Sequence, residues 1–439
     1  DNTKTNAIPL LLSASHTSSR INPGASRLGE SPLGRRGTAQ ITFSNGVWDD
    51  NVGDFYTADR PARANPVGFF TLLQARNPFF PNWTATIYEG YEGQALSAMQ
   101  SRLFDVEKIN GPNESDNFTI ECRDPIDRLR GKNTQYPPTS QINLAADIDE
   151  VATAITVTCL EAQLTADFGN TGSTRYLVIG NEVMSYTGHT GTAPDLTLTG
   201  VTRGVLASTA GKHEALSALQ RGAYHVRQRL YAVALDILKN HTDLPDSYVD
   251  STQWNAEGSS YLPSITGTAF LPAPLAIEDI LGELGRDGMF STWWDDRLQK
   301  MPLLAVRPPQ GIPVAWTDDA NVAAFSKVTK IDDRMTRVTI AFGIRDFLGD
   351  LDSLQNYRNQ LISIQTEYET AVATGGKVVN NAIFSRWLLS ETNCLLLSRS
   401  LLLRFKLPPE YVTLTLDAKD RDIGMGDVVD LTTRYIQDT

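Results

Sequence analysis

Residues 176–188 read YLVIGNEVMSYTG and run on into HTGTAPDLTLTGVTRG at 189–204. An apolar run, then Gly180-Asn181, then a second apolar run predicts two strands joined by a two-residue turn, because both turn positions tolerate positive φ. LTLTG alternates again, with Leu196 and Leu198 on one face. A period of two spreads side chains over two faces of a ribbon and does not converge them on one point. Glu182 follows the turn, where a strand end reaches solvent. Hydration or a hydrogen bond to the turn backbone accounts for it, and no partner acid or base is evident beside it. The stretch reads as structural sheet, and that texture recurs along the chain.

At 439 residues the chain exceeds one ordinary core and implies about three or four domains. Hydrophobic residues at 41% and charged residues at 21% exclude wholesale disorder. A net charge of −12 argues against a dedicated nucleic-acid binder and against an anionic membrane surface. Cys122, Cys159 and Cys394 lie far apart without a CxxC, which fits neither a disulfide framework nor a zinc site. Folding in a reducing compartment follows. No segment approaches the ~20 apolar residues of a membrane span. AIPLLL (7–12) is too short and lacks the basic flank of a signal peptide, and CLLLSRSLLLRF (394–405) is interrupted by Ser-Arg-Ser. A soluble protein is expected.

Residues 1–30, polar with Ser clusters, suggest an extended arm. GTAQITFSNG (37–46) alternates through Ile41 and Phe43 to an Asn-Gly turn, and WTATIYEGYEG (83–93) and NFTIECRD (117–124) alternate likewise. Residues 31–135 therefore read as one antiparallel β domain. NTQYPPTSQ (133–141) is a linker, and 136–225 a β-rich insertion holding the opening stretch. The period then changes. Leu230, Val233, Ala234, Ile237 and Leu238 follow helical spacing, as do Ile277, Ile280, Leu281 and Leu284, with Gly288 as a stop. FSTWW (290–294) and PLLAVRP (302–308) are two strands around DDRLQK, completing a small α+β domain at 226–320. Region 321–439 returns to strands. Val338, Ile340 and Phe342 share a face, as do Val412, Leu414 and Leu416. A helix over 381–405 offers Phe384, Trp387, Leu388, Leu395 and Leu402 for burial, and GMGDVVDL (424–431) is a turn before a last strand. The class is α+β, predominantly β.

Motifs for chemistry are sparse. His16, His189, His213, His225 and His241 form no HExxH or HxH pattern, and His189 reads as a solvated loop residue. No G-x-S-x-G elbow and no G-x-x-x-x-G-K-[ST] loop occurs. Asp295-Asp296 beside Trp293-Trp294 invites comparison with a glycosidase pair. Neighbouring strand residues point to opposite faces, however, so the two acids cannot flank one bond. A hairpin corner is the better reading, with one Trp in the core and the other at a surface or interface. No catalytic, cofactor-binding or metal residue is assigned. The structural or interface candidates are Trp293, Trp294, Arg307, Trp387, Gly426 and Asp427.

Several segments together resemble the tail-tip or baseplate central hub proteins of long-tailed, siphovirus-like bacteriophages and gene-transfer particles. IGNEVMSYTG (179–188) and LTLTGVTRGVLASTAGKHEAL (196–216) are similar to a segment of that family with an IG-E-YTG hairpin, a VTRG strand, and small residues leading to a His. LGRRGTAQITFSNG, DFYTADR, GFFTLLQARNPFF, YEGYEG and DPIDRL resemble its first domain. ILGELGRDGMFSTWWDDRLQKMPLLAVRP resembles its third, and TRVTIAFGIRDF, FSRWLL and GMGDVVDLTT its last. The ordered set spans most of the chain from about residue 30 and is more specific than any single motif. Relatives often continue into fibre-like domains, so the resemblance implies a shorter hub or a portion of one.

The resemblance implies a structural virion protein without enzymatic activity or cofactor. It would close the tail tube as a homotrimer in which two tube-like antiparallel β-barrels per chain, at 31–135 and 321–439, match the sixfold tube to a threefold tip. Implied partners are the distal tail protein and tail tube ring, the tape-measure protein, other tip or fibre proteins, and DNA passing without specific binding. An acidic wall would let that DNA slide during ejection. Implied locations are the host cytoplasm during assembly and then the virion tail tip. The competing expectations are a tail-associated cell-wall hydrolase and a glycan-binding tail module using Trp293 and Trp294 as stacking platforms.

Overall fold

A computed structural model of the chain describes residues 10–17, 21–22, 33, 37–46, 68–80, 83–130, 134–165, 174–370, 376–417 and 423–436. DFYTADR and most of the arm at 1–30 lie outside them. The chain divides into two compact units. One comprises Asp1–Arg20, Arg35–Asp127 and Trp294–Lys300, and the other Ile21–Gly34, Arg128–Trp293 and Met301–Thr439.

In the first unit, β1 (Leu11–Thr17), β2 (Thr38–Ser44), β3 (Thr84–Glu89), β4 (Gln100–Asn110) and β5 (Asn117–Arg123) form one open antiparallel sheet, ordered β1-β2-β5-β4-β3. Period-two alternation turns Ala39 and Ile41 inward, where they meet Phe104, Val106 and Cys122. Helix α1 (Phe69–Arg76) adds Phe70, stacked 5.3 Å from Phe118. The expected Asn45-Gly46 turn has another function. Asn45 is buried, and its Oδ1 accepts from the amides of Phe70 and Thr71 at 3.0 and 3.2 Å, capping α1 from a distant strand end.

The second unit opens with β6 (Gln135–Tyr136), paired with β15 (Leu275–Ala276). Eight strands then share one antiparallel sheet: β7 (Ile142–Leu144), β8 (Ile155–Thr158), β9 (Arg175–Ile179), β10 (Glu182–Tyr186), β11 (Gly188–Thr192), β12 (Asp195–Thr199), β13 (Ala218–Arg229) and β14 (Thr266–Leu271). Its core holds Ile142, Leu144, Ile155, Val157, Leu196, Leu198 and Leu219, with Leu164 of the short α2 (Glu161–Thr165). The two large sheets are open and strongly curled. As predicted, β9 and β10 make a tight hairpin pairing Ile179 with Glu182, and Gly180 takes φ 55°.

Helices α3 (Leu230–Asn240) and α5 (Ile277–Gly288) follow the spacing read from the sequence, whereas α4 (Ser251–Tyr261), between them, has no such apolar stripe and is not read from it. Leu230, Val233, Ala234, Ile237 and Leu238 are buried, as are Ile277, Ile280, Leu281 and Leu284. Each large side chain so covered contributes about 1.5–3 kcal/mol. The stop differs in detail. Met289, not Gly288, takes the left-handed conformation at φ 55°, while a Cβ on Gly288 would stand 2.6 Å from the Phe290 ring. Gly288 is required for close packing.

Beyond α5, β16 (Phe290–Thr292) pairs with β17 (Leu303–Ala305), and β18 (Val314–Thr317) runs parallel to β24 (Val429–Thr432). β19 (Val322–Thr329) pairs with β23 (Glu410–Leu416). β20 (Arg337–Ile344) lies between β21 (Tyr357–Ile364) and β22 (Asn380–Phe384), parallel to the latter. The short α6 (Thr366–Thr370) follows β21, and α7 (Glu391–Phe405) packs against β20 and β21. One expectation is corrected. Residues 381–405 are not one helix, since Asn381 and Ile383 alternate inward on a strand and α7 begins after Ser390. The second large antiparallel sheet lies within 142–271, whereas the described part of 321–439 carries small sheets, one of them mixed.

Candidate functional site

The acid of the opening hairpin is not solvated. Glu182 shares a face of β10 with Met184 and Tyr186, which point into the sheet's core, and it is 1% exposed. Arg203 grips it from two sides, Nε to Oε1 at 2.5 Å and Nη2 to Oε2 at 2.8 Å. The amide of Gly204 donates to Oε1 at 3.2 Å, and that of Gly211 to Oε2 at 3.0 Å. His213 Nε2 stands 2.8 Å from Oε2 and must carry its hydrogen there, since a carboxylate only accepts. The rest of the Arg203 fork donates to the carbonyls of Asp149 and Gly211 at 2.8 and 2.6 Å.

Burial alone would raise the Glu182 carboxyl. Hydrogen bonds from Arg203, Gly211 and His213, with the Arg203 charge, outweigh it and hold the group at about 2. Five donors crowd an anion with about four lone-pair sites. No acceptor capacity is left for a substrate proton, so this is a clasp and not an acid–base catalyst. It ties the β9–β10 turn to the 203–213 loop and to the loop at 149, and sequence reading missed both side-chain partners.

Four candidate residues meet in the second unit. Gly426, at φ 87°, lies against Trp293, where a Cβ would stand 2.8 Å from Cη2. Asp427 closes the turn, accepting from the Gly424 amide at 2.7 Å. Gly426 and Asp427, with Leu304, Arg307, Trp316 and Val428, border a cleft of about 580 Å³. Arg307 is held by Glu257, with Nε at 2.7 Å from Oε1, and lies 4.5 Å over the Tyr261 ring.

Trp387 stands elsewhere in that unit, fully buried, with Nε1 donating to Glu283 at 3.0 Å. Glu283 also takes Arg386 at 2.8 Å, yet burial still raises its carboxyl above the ordinary value. Next to it, Ser385 Oγ donates to the buried Asp287 at 2.5 Å and accepts from the amides of Trp387 and Leu388 at 3.2 and 3.0 Å.

Trp294, in the first unit, is also buried, and its Nε1 donates to the Leu103 carbonyl at 3.3 Å. The surface position, one of the two alternatives for the second Trp, is therefore not taken. Trp293 and Trp294 are 5% and 1% exposed, and neither offers a face for stacking a sugar. Asp295 and Asp296 make the predicted hairpin corner. Asp295 Oδ1 accepts from the Arg297 and Leu298 amides at 3.0 Å, and Asp296 pairs with Arg102.

His189 is not a solvated loop residue either. It lies on β11, largely covered, 3.7 Å from Glu161. His225 is buried between Tyr136 at 2.9 Å and Gln228 at 2.8 Å. Among the described residues no group of three His, Cys, Asp or Glu side chains could hold a metal ion, and no helix is long and apolar enough to cross a membrane. The three cysteines are free and buried, and burial pushes the Cys122 and Cys394 thiols up to about 12.

No family model matches the chain, and no curated protein matches it. Among solved structures it is similar to the 43 kDa tail protein of prophage MuSo2 from Shewanella oneidensis, at 11% identity and a TM-score of 0.28, over 67% of this chain and 86% of that one.

Proposed function

We propose that the chain is a structural protein of a phage-type tail tip, a central hub that closes the tail tube and conducts DNA at ejection. One observation carries this reading. The distinctive residues of the tail-protein segment it resembles, the Glu of IG-E-YTG, the Arg of VTRG and the following His, converge here as Glu182, Arg203 and His213 in one saturated clasp. The motif is thereby accounted for as architecture, which favours a structural role over a hydrolase.

The hub works as a homotrimer joined to the distal tail protein and tube ring, with a tape-measure protein above and tip or fibre proteins around it. It assembles in the host cytoplasm and ends in the virion. Among the described residues β1 and β3 are the edge strands of the first sheet, where neighbouring copies would continue the wall. The small sheets of 321–439 would complete a second barrel only with strands from such neighbours.

Labelling the chain in native particles and imaging them by electron microscopy tests the proposal. Label at the distal end of the tail, with a trimeric mass in solution, is the expected result. Label along the tail shaft, or a monomer that clears suspensions of purified cell walls, overturns it.

A further inference from the structure

We draw no further inference here: the strongest candidate, the cleft of about 580 Å³ that Leu304, Trp316 and Val428 line beside the β18–β24 pair, carries nothing, because Arg307 at its border is already held by Glu257 and nothing in the structure shows what covers its apolar wall.

Discussion

Arg203 and Glu182, 21 residues apart in sequence, meet as a two-point fork in which Nε and Nη2 each take one carboxylate oxygen at 2.5 and 2.8 Å. Both side chains are almost wholly covered, at 6% and 2% exposure. Removing one partner from such a pair strands the other charge in a poor solvent. Arg203→Met is therefore expected to cost about 3–5 kcal/mol. The double variant Glu182→Leu with Arg203→Met should lose clearly less than the two single changes added together. Hydrogen exchange by mass spectrometry on peptides from 175–220 is the readout. Unchanged protection in Arg203→Met would show that the clasp contributes nothing.

Acid should release the same clasp. Folding lowers the Glu182 carboxyl from 4.5 to about 2, so its stabilisation is complete above about pH 4.5 and is lost as pH falls through that interval. Glu182→Gln cannot titrate. Its melting temperature should decline less steeply than that of the wild type between about pH 5 and pH 2.5, while lying lower at neutral pH. Calorimetric scans of both proteins across that range give the comparison, and parallel declines would contradict it.

The clasp also shows where sequence reading stops. The Gly180-Asn181 turn, the inward Leu196 and Leu198, and the buried stripes of α3 and α5 all follow from local periodicity, which needs no knowledge of distant residues. Glu182 finds its partners through the return of the chain at 203–213, and no local pattern encodes that return. The lone Arg of VTRG, directly before Gly204, and the lone His of GKHEAL, two residues after Gly211, are the available signals. The cap that Asn45 makes is hidden for the same reason, because a turn and a remote helix cap use the same amide chemistry. The extent of α7 failed differently. Apolar residues at 383–388 fit a helix or a buried strand equally well, and parallel pairing with β20 decides for the strand.

Gly426→Ala tests the turn that meets Trp293. At φ 87° an L-residue is strained, and the new methyl would stand 2.8 and 3.1 Å from Trp293 ring carbons and 3.3 Å from Leu304 Cδ2. A loss of about 1–3 kcal/mol is expected. Displacement of an indole that is now 5% exposed should accompany it, seen as a red shift in tryptophan emission. Wild-type emission and melting would mean that the turn relaxes without cost.

Ser385 is the smallest residue with a large expected effect. Its hydroxyl is the hydrogen-bond acceptor for the Trp387 and Leu388 amides and a donor to the buried Asp287. Ser385→Ala removes one oxygen and leaves two buried N–H groups and one carboxylate short of a partner, a loss of about 2–4 kcal/mol. The carbonyls of Trp387 and Leu388 in turn accept from the amides of Thr268 and Gly343 at 2.9 and 3.0 Å. Those two amides should exchange faster in the variant, while peptides from 142–198 keep their protection. If Thr268 and Gly343 exchange at the wild-type rate, the hydroxyl is not what fixes the 385–388 corner against β14 and β20.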